Sequence, residues 1–81
     1  METKKKIIEI YSSDLLNEFR KIMKNFGNFD ASFLWQSCYR TGKLPYDWSE
    51  VKNLKLTRTK LVAYLFNGAL ILIKKGEPNG N

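Results

Sequence analysis

Lys60-Leu61-Val62-Ala63-Tyr64-Leu65-Phe66-Asn67-Gly68-Ala69-Leu70-Ile71-Leu72-Ile73-Lys74 is the stretch that decides how this chain folds. Asn67-Gly68 stands between two apolar runs. That is the strongest short hairpin signal, because both residues accept a positive φ. In a two-residue hairpin Phe66 faces Ala69, Tyr64 faces Ile71 and Val62 faces Ile73. The opposite face then carries Leu61, Ala63, Leu65, Leu70 and Leu72, so both faces are apolar. A sheet with one wet face alternates instead. The hairpin is therefore the centre of the fold, or a second chain covers one of its faces. The alternative reading ends a helix over 58–66 at Gly68 and leaves a strand over 69–74, that is, helix plus strand.

Working outward, Ile7, Ile8, Ile10 and Tyr11 are β-branched or aromatic and predict a short strand. Ser12 or Ser13 then caps a helix, with Asp14 suited to its positive end. Leu15, Leu16, Phe19, Ile22, Met23 and Phe26 form one stripe at helical period, and Gly27 stops it. A second helix starts at Asp30, with Phe29 stapled onto Leu34. It carries Ala31, Leu34, Trp35, Cys38 and Tyr39 on one face and ends at Gly42. Pro45 marks a connection. Asp47-Trp48-Ser49-Glu50 reads as a capping box, with Tyr46 and Val51 as the staple. It predicts a short third helix over 48–54, with Trp48, Val51 and Leu54 as its apolar positions.

The expected fold class is α+β, a small single domain in the order β-α-α-(short α)-β-β. Three helices followed by a hairpin is the order of elements in a winged helix, with helices two and three as a helix-turn-helix. That layout brings helix three, with Lys52 and Lys55, toward the major groove and makes the hairpin the wing. The chain has 81 residues, which means one domain with little core. Residues 1–76 are expected to form the compact basic domain, and 77–81 a flexible tail.

The formal net charge is +6, and it is not spread evenly. Six basic residues, Lys52, Lys55, Arg58, Lys60, Lys74 and Lys75, lie between Val51 and Lys75 with no Asp or Glu among them. The other 56 residues hold eight basic and eight acidic groups, which cancel. A polyanion would relieve the repulsion among these cations, and phosphate contact needs only such a patch. The competing reading is that Lys60, Lys74 and Lys75 keep a sticky strand pair soluble. Arg40 and Lys43 lie in a second basic stretch beside Tyr46 and Trp48. Aromatic rings there could stack bases while the cations hold the backbone. The competing reading is that Tyr46 and Trp48 pack as core and staple residues.

Absences exclude several chemistries. With no histidine there is no imidazole base and no Ser-His or Cys-His dyad. One cysteine, Cys38, gives neither a disulfide nor a Cys/His zinc site, and on an apolar helical face it reads as buried filler. Gly42-Lys43 is not a phosphate-binding loop, because Ser37 and Leu44 stand where that motif needs Gly and Ser or Thr. The longest apolar run, Leu61–Ile73, is too short to span a bilayer as a helix.

These readings converge on a small non-enzymatic nucleic-acid-binding protein without a cofactor, metal site or membrane partner, expected in the cytoplasm. DNA is favoured, double- or single-stranded. Sequence specificity is expected to be low, because arginine supplies most bidentate base contacts and lysine dominates here. The expected setting is a phage or mobile-element accessory factor. The expected DNA-binding set is Lys52, Lys55, Arg58, Lys60, Lys74, Lys75, Arg40 and Lys43, with Tyr46 and Trp48 for stacking. The alternative is a protein-interaction module: a homodimer, or an accessory subunit or inhibitor of a larger nucleic-acid enzyme. It would use segment 61–73, with Leu61, Ala63, Leu65, Leu70 and Leu72 at the interface.

Overall fold

The computed structural model describes residues 6–76; the expected tail over 77–81 lies outside them. Strand β1 (Ile7–Tyr11) is followed by helices α1 (Ser13–Asn25) and α2 (Asn28–Arg40). A single 3₁₀ turn (Trp48–Glu50) leads into β2 (Val51–Leu56), β3 (Lys60–Leu65) and β4 (Leu70–Lys74). The four strands form one sheet in the order β1-β4-β3-β2. β1 lies parallel to β4, and the other neighbours are antiparallel. The fold is α+β, as the sequence implies.

The helices follow their caps. The Ser12 hydroxyl accepts from the Leu15 amide at 3.2 Å and starts α1. Gly27, at φ +101°, both stops α1 and precedes α2 directly. Asp30 is therefore not the cap of α2 but sits in its first turn. The expected Phe29–Leu34 staple does not form. Phe29 is 76% exposed and meets Phe33 edge-on, with ring centroids 5.4 Å apart.

The expected third helix is the main departure. Asp47 does cap, accepting from the Ser49 amide at 3.0 Å, but the helix ends after one turn. Val51 is already extended. The apolar spacing that imitates a helix, Val51 to Leu54, comes from a β-bulge. Val51 pairs with Leu65 and Asn53 with Tyr64, so Lys52 is the extra residue. Val51 and Leu54 both point inward, while Lys52 and Asn53 are both exposed. No helix-turn-helix of the winged-helix type is formed, because its recognition helix is a strand.

Residues 60–74 do form a hairpin, and the helix-plus-strand alternative is set aside. Its turn holds three residues, not two. The Gly68 amide donates to the Leu65 carbonyl at 3.0 Å, and the Leu65 amide to that of Ala69 at 3.0 Å. Gly68 closes the turn at φ +92°. The extra residue shifts the register by one. Leu61 now faces Ile73, Val62 faces Leu72, Ala63 faces Ile71 and Tyr64 faces Leu70. Such a shift exchanges the faces of one strand relative to its neighbour.

Leu61, Ala63, Leu65, Ala69, Ile71 and Ile73 consequently share the inner face with Val51 and Leu54. Against them pack Leu15, Leu16 and Phe19 of α1 and Ala31, Trp35 and Cys38 of α2. Leu61, Ala63 and Leu65 were expected at a protein interface. They are 0%, 0% and 3% exposed, so they belong to the core. Leu70 and Leu72 lie on the other face, which no described element covers. Val62 on that face is buried by its neighbours and has no part in the core cluster. Among the described residues, no helix is long and apolar enough to cross a membrane.

Leu61→Ala should cost about 2–5 kcal/mol in chemical denaturation, as a fully buried large-to-small change does. Leu72→Ala, on the uncovered face, should cost less than half as much. Equal losses would mean that both faces are equally covered.

Candidate nucleic-acid interface

The register arranges the uncovered face as three rows that cross the strands. Tyr11, Lys74 and Lys60 form the first row; Glu9, Leu72, Val62 and Lys55 the second; Ile7, Leu70, Tyr64 and Asn53 the third. Strands lie about 4.8 Å apart, and alternate residues about 6.8 Å apart. The face is thus about 14 Å in each direction. Its first row is basic and its third is apolar and aromatic.

Lys60 and Lys74 are directly opposite across the central strand pair. Like charges in that position repel. With Thr59 and Lys75 they line a depression of about 370 Å³. Among the described residues the face carries a single carboxylate, Glu9, which takes the Lys74 ammonium at 3.0 Å. The Tyr11 hydroxyl also donates to Glu9 at 2.9 Å, and the Lys74 ammonium lies 5.5 Å from the centre of the Tyr11 ring. The bond from Lys74, with help from Tyr11, holds the Glu9 carboxyl below the usual carboxylate range. The same bond holds the Lys74 ammonium above the usual lysine range. Lys60 has no carboxylate partner among the described residues.

Arg58 sits in the β2–β3 loop, which Thr57 folds by bonding to both the amide and the carbonyl of Lys60. Arg20 of α1 reaches across to the carbonyls of Thr57 (3.3 Å) and Arg58 (2.8 Å). It is a positioning residue for the basic end. Sequence reasoning passed over it because it lies 37 and 38 residues from its acceptors, among other polar residues of α1.

The eight expected cations do not form one patch. Lys55, Lys60 and Lys74 point from the uncovered face, with Lys75 and Arg58 beside its basic end. Lys52 projects from the bulge. Arg40 lines a separate depression with Phe33, Gln36 and Trp48, and Lys43 lines another with Ile10, Asp14 and Glu18.

Tyr46 and Trp48 do not serve as stacking rings on this face. Both pack against the core on the helical side. The Tyr46 carbonyl accepts from the Trp35 indole at 2.8 Å, and Trp48 meets Trp35 edge-on at 6.1 Å. The rings on the uncovered face are Tyr11 and Tyr64. The two-residue register hid Tyr64 by pairing it with Ile71.

Cys38 is buried, and that burial pushes its thiol above the usual range. It is not poised as a nucleophile. Among the described residues, no three Cys, Asp or Glu side chains gather in a way that could hold a metal. Compared with protein-family models, curated proteins and solved structures, the chain matches none.

The Glu9–Lys74 pair contributes only while Glu9 is ionised. It is present above the ordinary carboxylate range and lost as pH falls through the depressed value. Lys74→Ala should therefore raise the Glu9 titration midpoint, read by NMR at its carboxyl carbon. A midpoint that does not move would mean the pair is not formed in solution.

Proposed function

We propose that this chain binds single-stranded nucleic acid, DNA in the first instance, with low sequence specificity, through the uncovered face of its sheet. The observation that carries the reading is the register that sets Lys60 beside Lys74 on that face, with Lys55, Lys75 and Arg58 around them. Phosphates would lie along this basic end. Bases would turn toward Tyr64, Leu70 and Leu72, where stacking tolerates any sequence because every base has a π-face. An open sheet face suits an unpaired strand, whose bases are free to lie on it. The groove of a duplex would call for a projecting helix or ribbon, and the expected recognition helix is a strand.

Lysine in place of arginine fits this mode. An ammonium meets phosphate as a point charge and offers no fork for a particular base edge. Glu9 limits affinity by occupying Lys74, so the site is not tuned for maximum attraction. Glu9→Gln should tighten binding at low salt by releasing that lysine.

The test is a titration of a labelled oligothymidine of about 15 nucleotides, alone and annealed to its complement. About three phosphate contacts at about 0.7 each predict a salt slope near −2, and a fall of about 20-fold between about 50 and about 200 mM salt. Lys60→Ala with Lys74→Ala should flatten the slope by about 1.4. Tyr64→Ala should cost about 1–3 kcal/mol for the single strand. An unchanged slope in the double variant, or no binding at low salt, would overturn the proposal.

A further inference from the structure

The sheet order leaves β1 and β2 as its two edges. They are treated differently. β2 is bulged at Val51/Asn53 and exposes Lys52 and Lys55, the devices by which an edge is kept from pairing with another chain. β1 has neither device. Its five residues run in unbroken register with β4, from Ile7↔Leu70 to Tyr11↔Lys74, and include three isoleucines and no lysine.

The hydrogen bonds show which of its groups are free. Lys6 and Ser12 bond toward β4, through the Lys6 carbonyl and the Ser12 amide. In a parallel pair alternate residues bond to the same side, so the amides and carbonyls of Ile7, Glu9 and Tyr11 point away from the sheet. Among the described residues nothing pairs with them. Beside this edge, on the helical side, lies a depression of about 660 Å³, lined by Ile10, Leu15, Asp14, Asn17, Glu18 and Lys43, with Ser12 at its rim. Ile10 and Leu15 give it an apolar floor. Asp14 and Glu18 stand one helical turn apart, both exposed, and neither forms an ion pair among the described residues.

We propose that β1 receives an extended basic peptide from another protein as a fifth strand. The outward groups of Ile7, Glu9 and Tyr11 would supply the ladder. Alternate peptide side chains would face the depression: an apolar one against Ile10 and Leu15, and a lysine or arginine against Asp14 and Glu18. Such strand addition takes affinity from the main chain and specificity from pockets for alternate side chains. A second copy of this chain fits less well. Full antiparallel overlap of two β1 strands sets Glu9 against Glu9, a destabilising like-charge pair. It would also offer only Ile8 and Ile10 to the depression, where two carboxylates, Asp14 and Glu18, stand against the single cation Lys43. This edge is distinct from the sheet face assigned to nucleic acid, so either proposal can fail alone.

The probe is the capped peptide Thr-Lys-Thr-Val-Thr-Lys-Thr, titrated into the full chain and followed by amide NMR, with a control peptide carrying Glu at both Lys positions. The expected result is a set of shifts at Ile7, Glu9, Tyr11 and Leu15 that the control peptide does not produce. Asp14→Asn with Glu18→Gln should weaken binding about tenfold, as loss of charge-assisted hydrogen bonds does. Glu9→Pro should abolish the β1 shifts, because it removes an outward amide and leaves the bonds to β4 in place. If that variant fails to fold, the carboxamide variant still decides. Shifts confined to the Lys60–Lys74 face, equal binding of the control peptide, or a dimer of the free chain in sedimentation would overturn the proposal.

Discussion

The pairing of Leu61 with Ile73 and of Lys60 with Lys74 is the constraint on which the rest of the molecule depends. A three-residue turn sets it, and the turn closes because Gly68 can take a positive φ. With this register every large apolar residue that the core needs from β3 and β4 points toward the helices. The lysines that bracket the hairpin are sent to the opposite face as neighbours. One residue fewer in the turn would mix the two sets, with Ile71 and Ile73 on one side and Leu61 and Ala63 on the other.

Trp35 holds the second layer to the first. It is wholly buried, with Phe19 and Trp48 edge-on against it. Its indole donates to the Tyr46 carbonyl and so draws the α2–β2 connection down onto the core. The Trp48 amide donates to Gln36 and fixes where the 3₁₀ turn begins. These two bonds place Val51 at the start of β2. Tyr46 and Trp48 of this connection thus pack against the core, while Tyr11 and Tyr64 are the rings on the uncovered sheet face.

Two helices of this length can cover one face of a four-stranded sheet and no more. The second face is covered by no element among the described residues. Here it has a composition intermediate between core and surface, with Val62, Leu70, Leu72 and Tyr64 among lysines. The sheet has two edges among the described residues, of which β2 carries a bulge and lysines and β1 neither.

The sequence by itself determined the two helices, a serine cap at Ser12 or Ser13, the Gly27 break, the turn at Asn67-Gly68, and the gathering of charge between Val51 and Lys75. These are local matters: caps act over three residues, helical stripes over four, and charge can be counted. It also excluded imidazole chemistry outright, since that depends only on which residues are present. What it could not determine was set by pairing partners. Val51 and Leu54, three apart, read as a helix because nothing local distinguishes a helical turn from a bulged strand. Only pairing with β3 makes it a strand. Asn-Gly in isolation favours a two-residue turn, whereas here only Gly68 takes a positive φ and the three-residue turn gives the register that buries Leu61 and Ile73. That register moved Leu61, Ala63 and Leu65 into the core, brought Tyr64 to the open face, and set Lys60 beside Lys74. Arg20 and the unguarded β1 edge were likewise decided by tertiary structure, because each is defined by residues far away in the chain.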